Sequence, residues 1–218
     1  AGCLAVLGFV TTALPATISV PAGGNIQTAI NAAATGDTVF ISNGTFVVGA
    51  TLNVTKSITI EGESEAGVVI DASSRGTGYG IYVEASNVTL KKFTLLPPDN
   101  DPPGTHGTSS GGGFAIHASF NHTVPYSSLT NLALANITIQ DGNRAAFDIH
   151  GYDGVTLTDL TAKNSAYGNG IQISGCTDVT ITGATVSGNA WGGIAFYVSK
   201  STYLNRGCSA ITYDMAAN

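Results

Sequence analysis

One pattern recurs along this chain at a nearly fixed interval. Segments 88–95 (VTLKKFTL), 132–139 (LALANITI), 155–162 (VTLTDLTA) and 179–186 (VTITGATV) each hold an apolar-x-apolar strand, a two-residue corner and a second such strand. Leu132 to Val155 is 23 residues and Val155 to Val179 is 24. A third strand precedes each pair, at 81–84 (IYVE), 114–117 (FAIH), 147–150 (FDIH), 171–174 (IQIS) and 194–197 (IAFY). Alternation with period two sends the apolar residues to one face and Thr to the other. Identical residues in fixed columns mean that successive copies stack, each repeat burying its apolar side against its neighbours about 4.8 Å away. The fold class expected is therefore all-β, a right-handed parallel β-helix of three-strand coils about 23 residues long. A sandwich needs antiparallel strands at closer spacing and has no reason to keep such columns.

The first coils carry a different signal. In 24–33 (GNIQTAINAA), Ile26, Ala29, Ile30 and Ala33 fall on one helical face, suited to closing the end of a solenoid. The stretch from Ile26 to Phe46, with Gly36-Asp-Thr-Val-Phe-Ile41 and Gly44-Thr-Phe46, resembles the N-terminal signature of the pectate-lyase-like superfamily, as does 57–62 (SITIEG). Polysaccharide lyases of the chondroitinase-B and alginate-lyase type are the most similar members, and the resemblance covers most of residues 24–218. It implies a β-helix acting on or binding extracellular polysaccharide, with calcium as the ion such proteins can use. Fold is the specific part, because the same repeats serve lyases, hydrolases, epimerases and adhesins.

Charge narrows the partners. Eight Lys and Arg against 14 Asp and Glu give a net charge of −6, which excludes the broad positive field of a sequence-independent nucleic-acid binder. Only 10% of residues are charged although 43% are hydrophobic. Thr, Ser, Asn and Gly must therefore cover the surface, as in extracellular β proteins. Residues 1–16 read as the remnant of a signal peptide, too short for a membrane span, and 17–218 as one β-helix domain cut at its C-terminus. The mature protein is thus expected outside the cell with no membrane span. Cys176 and Cys208 align in one column, and two states are open: a disulfide, or a ladder of reduced thiols.

In the superfamily named above, the outward face of the strand at 147–150 and its equivalents commonly carries the active site. Aligning 114–117 with 147–150 residue for residue puts Tyr82, Ala115, Asp148, Gln172 and Ala195 in one outward column, and Glu84, His117, His150, Ser174 and Tyr197 in the other. Loops beside them bring Arg144, Lys163, Tyr167 and Trp191, the sole Trp. A cation against a uronate carboxylate, an imidazole for proton transfer and rings to stack on pyranoses are what polyuronate chemistry needs. The catalytic candidates are His150, Asp148, Arg144, His117 and Lys163; the substrate-binding candidates are Trp191, Tyr167, Tyr197 and Gln172. A metal site on Glu84, His117, Asp148 and His150 is a rival reading of the same face, but no residue is assigned to a metal. In this scheme Arg144 or Lys163 neutralises the carboxylate, His150 takes the C5 proton, and Tyr167 or Tyr197 supplies one. The run 147–150 is similar to the Phe-Asp-Pro-His segment of mannuronan C5-epimerases: Asp148 and His150 match, Ile149 replaces the Pro, and Ser174 stands where a second acid is expected. Corner residues Asn87, Asn136, Asn164 and Asn189 read as turn formers. The Pro- and Gly-rich insertion 97–113 reads as a lid over the face or as a tolerated surface loop. The alternative to an enzyme is a non-catalytic surface solenoid.

Overall fold

The computed structural model describes residues 14–99, 112–122, 127–198 and 206–214, so most of the signal-peptide segment and of the candidate lid lies outside the described residues. The first half of the chain forms β1 (Thr17–Val20), helix α1 (Ile26–Ala32), β2 (Thr38–Ile41), β3 (Gly44–Val47), β4 (Leu52–Val54), β5 (Thr59–Gly62), β6 (Val68–Asp71), β7 (Tyr79–Val83) and β8 (Val88–Leu96). The second half forms β9 (Phe114–Ala118), β10 (Leu129–Gln140), β11 (Phe147–His150), β12 (Tyr152–Lys163), β13 (Asn169–Ser174), β14 (Thr177–Thr182), β15 (Thr185–Ser187), β16 (Gly192–Tyr197) and β17 (Ser209–Asp214).

These strands make two sheets, and every paired strand in them is parallel to its neighbour. The smaller runs β4-β7-β9-β11-β13-β16. The larger follows β1-β2-β5-β8-β10-β12-β14-β17, with β3, β6 and β15 paired alongside. The repeat sets this registration: Val88, Leu132, Val155 and Val179 stack in one line, and Leu90, Leu134, Leu157 and Ile181 in the next, all buried. From the small sheet, Ile81, Ile116, Phe147 and Ile171 point into the same core, with Val83, Ala118, Ile149 and Ile173 beside them. Parallel strands a full coil apart are thus held by apolar ladders as much as by backbone hydrogen bonds.

The corners explain how strands as long as β10 and β12 bend. Lys92, Asn136, Asp159 and Gly183 occupy the same corner on four coils with φ of 60°, 50°, 49° and 66°. Asn, Asp and Gly adopt this left-handed turn at least cost, and all but Lys92 belong to that set. Lys92 is retained with an ion pair to Glu61, whose other oxygen meets Lys91. Asn87 and Asn164 are left-handed too, and Asn131 and Asn164 each donate to the corner residue one coil back, Asn87 and Asp141. Asn189 accepts from the Ser165 amide and donates to the Ala162 carbonyl, so the corner asparagines act as turn formers and ladders.

At the start of the stack, α1 buries Ile26, Ala29 and Ile30, and Asn25 caps it by accepting from the Thr28 amide. Asp37 accepts from the backbone amides of Ala16 and Ala34, and these bonds hold its carboxyl below the usual range. Near the other end, Cys176 and Cys208 are free thiols stacked on adjacent coils, the Cys176 amide donating to Cys208 Sγ. Burial pushes the Cys176 thiol up to about 12. Ile194, Phe196, Ile211 and Tyr213 line an open apolar cavity of about 500 Å³ at the last described coil.

Candidate functional site

The small sheet's outward face is where the structure departs from the residue-for-residue alignment. His117 pairs with Asp148 and Tyr82, not with His150, because Ile116 rather than Phe114 stacks on Phe147. One outward column is therefore Asn53, Tyr82, His117, Asp148, Gln172 and Ala195. The other holds His150, Ser174 and Tyr197, with Ser119 beside His150 on the coil before. The two-residue shift keeps each side chain on its own face, so apolar alternation does not reveal it.

The corrected register brings both imidazoles onto one carboxylate. His117 Nδ1 lies 2.7 Å from Asp148 Oδ2, and His150 Nε2 lies 2.8 Å from Asp148 Oδ1. Gln172 Nε2 donates to the same Oδ1 at 2.8 Å. Asp148 points outward yet is only 2% exposed, walled in by these partners. Burial is the strongest single influence on its carboxyl and pushes it up; hydrogen bonds from His117 and His150 and their charge together outweigh it, bringing the group down to about 2. Asp148 is thus an ionised, acceptor-only group, and every neighbour must turn a donor toward it. That assigns protons to His117 Nδ1 and His150 Nε2 and leaves His117 Nε2 and His150 Nδ1 open.

An aromatic shelf flanks this centre. Tyr79 stacks on His117 with ring centroids 4.6 Å apart, Tyr82 stacks on it at 5.6 Å, and Phe114 tilts against it at 5.8 Å. Burial raises both tyrosines' pKa; the Asp148 charge adds to it for Tyr79, and Glu84 does so for Tyr82. Tyr79 escaped sequence reasoning because it stands outside the repeated strand, and Phe114 because it aligns by identity with inward Phe147, whereas Ile116 takes that place. Arg144 lies over the Phe114 ring, 5.1 Å from its centroid, at the edge of the shelf. Glu84 is tied elsewhere, accepting from the His122 amide and the Tyr82 hydroxyl.

On the far side, Asn169 Nδ2 donates to Gln172 Oε1 and to the Tyr197 hydroxyl. Tyr197 is 42% exposed and Trp191, in the turn before β16, 61%. Tyr167 occupies the equivalent turn one coil earlier, its amide bonded to the Asn143 carbonyl, and the Trp191 amide bonds to Gly168. Lys163 ends β12 in register with Gln140 and Ser187, on the large sheet. The structure therefore gathers His117, Asp148, His150, Gln172 and Tyr197 into one linked group, puts Arg144, Tyr167 and Trp191 at its borders, and leaves Lys163 outside it.

Calcium does not fit this donor set. It takes six to eight oxygen ligands, whereas this centre offers one carboxylate already accepting three N–H bonds, with imidazoles around it. His117, Asp148 and His150 can bring one ligand atom each within 4.8 Å of one another, the kind of set a transition metal accepts. One nitrogen of each imidazole already bonds Asp148, so the cluster is satisfied as a proton-carrying group.

No family model and no curated protein matches the chain. Among solved structures it is similar to a candidate glycosyl hydrolase from Parabacteroides merdae, at a TM-score of 0.54 and 15% identity, covering 81% of this chain and 82% of that one. It also aligns with two structures of the PL6-family alginate lyase AlyGC, one of them an arginine variant, at TM-scores of 0.43 and 0.33 and identities of 12% and 15%. The chain spans 41% of each lyase chain. The first likeness is one of fold, in keeping with the parallel sheets, and residue roles do not pass across such identity.

Proposed function

We propose that this protein is a secreted polysaccharide lyase that abstracts the C5 proton of a uronate residue in an extracellular polysaccharide. The observation that carries the reading is the buried Asp148 carboxylate shared by His117 and His150. A carboxylate behind an imidazole fixes its tautomer, holds the ring, and stabilises the imidazolium formed when a proton arrives. His150 is the base: its side chain is 25% exposed against 15% for His117, and it shares a column with Tyr197. His117, clamped against Tyr79, keeps Asp148 in place from the other side.

In the reaction, Arg144 meets the uronate carboxylate and acidifies C5–H. His150 takes that proton, the electron pair forms the C4=C5 double bond, and the C4–O bond breaks while Tyr197 protonates the departing glycosidic oxygen. Base and donor rise from the same face of the sheet, which suits elimination; epimerisation needs a proton delivered from the opposite face. Glycoside hydrolysis, the activity named for the Parabacteroides protein, normally uses two carboxyl groups flanking the bond. The only carboxylate in this linked group is Asp148, and it is sealed behind its donors. The nearly invariant hand of parallel crossovers supports right-handed coiling, and the apolar face of α1 supports its role as a cap. The low charge content supports an extracellular setting.

The test is to mix the protein with alginate, polygalacturonate and glycosaminoglycans and follow the ultraviolet absorbance of the unsaturated product. A rise that His150→Ala abolishes is expected. No rise on any of these polymers, together with no C5 inversion by NMR, turns the reading to a non-catalytic surface solenoid.

A further inference from the structure

The hydrogen bonds beyond Asp148 have a direction, and it reaches Tyr197. Because the ionised Asp148 carboxylate only accepts, Gln172 must turn its NH₂ toward it, which aims Gln172 Oε1 at Asn169. Asn169 must then present its own NH₂, and that group has two hydrogens. One goes to Gln172 Oε1 at 3.2 Å and the other to the Tyr197 oxygen at 3.1 Å. The Tyr197 oxygen is therefore an acceptor on the protein side, and its own hydrogen has to point away from Asn169. Asn169 is buried, while Tyr197 is exposed on the face that carries His150.

We propose that Gln172 and Asn169 form an amide relay, oriented by Asp148, which leaves the Tyr197 O–H aimed outward as a proton donor to the bound polysaccharide. Asn169 and Gln172 are positioning residues and Tyr197 the group that touches substrate. A hydroxyl that accepts a hydrogen bond also donates a stronger one, so the relay both aims and sharpens the donor. The same charge that fixes the His150 tautomer by direct hydrogen bond thus fixes the polarity of the acid, and base and acid are set by one carboxylate. The donor role rests on the lyase reading above; the polarity of the relay does not.

Two measurements separate these. Neutron diffraction from deuterated crystals should show both Asn169 Nδ2 deuterons directed at Gln172 and Tyr197, and the Tyr197 deuteron turned away from Asn169. A Tyr197 deuteron lying on the Asn169 side chain overturns the relay, whether or not the protein proves to be a lyase. In kinetics, Asn169→Ala should lower kcat about tenfold on the natural polymer with KM little changed. It should spare a uronate substrate whose C4 leaving group is an aryloxide that needs no proton. Equal loss on both substrates means that Asn169 is merely structural and overturns its positioning role. Tyr197→Phe, at an exposed position, gives the same contrast should the buried Asn169→Ala not fold. A wild-type protein inactive on every polyuronate removes the lyase reading and with it the donor role, while the diffraction result still decides the relay.

Discussion

The two sheets of this solenoid share a core and differ in what they show to water. On the large sheet one outward column reads Thr89, Ala133, Thr156, Thr180 and Thr212, small side chains that are half-buried or exposed. On the small sheet the matching column reads Asn53, Tyr82, His117, Asp148, Gln172 and Ala195, and its central members are bonded to one another. Both columns sit on flat parallel strands at the same spacing, so backbone geometry does not separate them. Side-chain length does. Thr reaches no neighbour that needs it, while His, Gln and Tyr lean across coils and bury a carboxylate that the sheet itself leaves outside. A charge withdrawn from water is tolerated only where donors surround it, and on the small sheet His117, His150 and Gln172 supply them.

The largest expected effect breaks this contrast outright. His150→Ala should reduce the elimination rate by about a thousandfold, the usual weight of a general base, whereas Thr156→Ala on the exposed large-sheet column should leave it unchanged. Comparable losses from both would mean that the small sheet has no special role.

The next effect concerns stability. Asp148 in the folded chain sits at about 2, below the ordinary 3.8 of an aspartate, so the folded state favours the ionised form. Its contribution is complete above about pH 4 and fades as the pH falls toward 2, on the order of 2 kcal/mol in all. Asp37, lowered by its two backbone donors, acts in the same direction. Asp148→Asn should therefore destabilise the protein at neutral pH and flatten its acid unfolding curve, measured by denaturant melts across the pH range. A variant curve parallel to wild type would show that the three donors do not hold the charge. No large-sheet threonine can produce this signature, because none titrates.

Much of this was legible in the repeat, and the part that was not has a definite cause. Apolar columns at 23- to 24-residue spacing, the corner asparagines and the buried face of α1 all follow from periods and turn chemistry that act locally. The neighbours of His117 did not follow. Phe114-Ala-Ile-His117 and Phe147-Asp-Ile-His150 invite alignment by identity, but the extra residues between Ala118 and Leu129 uncouple the count, and a two-residue slip preserves inside and outside. Packing decides it: Ala118, not Ile116, lies between Val83 and Ile149. The sequence reading named His117, Asp148 and His150 together but gave Asp148 no reason to lie between the imidazoles. It missed Asn169, which lies two residues before the strand it gave at 171–174 and inside the observed β13.

A smaller effect probes the corners that both faces depend on. Gly183 holds φ of 66° where the other coils use Lys92, Asn136 and Asp159. Gly183→Ala should cost about 1 kcal/mol in a denaturant melt through the left-handed backbone, since the Asp159 oxygen that its methyl would approach can rotate away. Activity should not change, because the strain falls on the large-sheet side. A loss of activity at unchanged stability would tie the corner to the site and blur the division between the faces.

The smallest expected effect is none at all, and it tests what kind of centre the small sheet holds. A divalent ion bound by His117, Asp148 and His150 would compete with the hydrogens that now bridge them, because Asp148 already accepts from both imidazoles. Exhaustive chelation followed by dialysis should therefore leave the elimination rate as it was, and added calcium should not raise it. Activity lost to the chelator and restored by zinc would make the carboxylate a ligand instead of an acceptor. Asp148 would then no longer orient Gln172, and the protonation of His150 Nε2 assigned here would be reversed. The two descriptions differ in where the hydrogens lie, and chelation separates them without altering a residue.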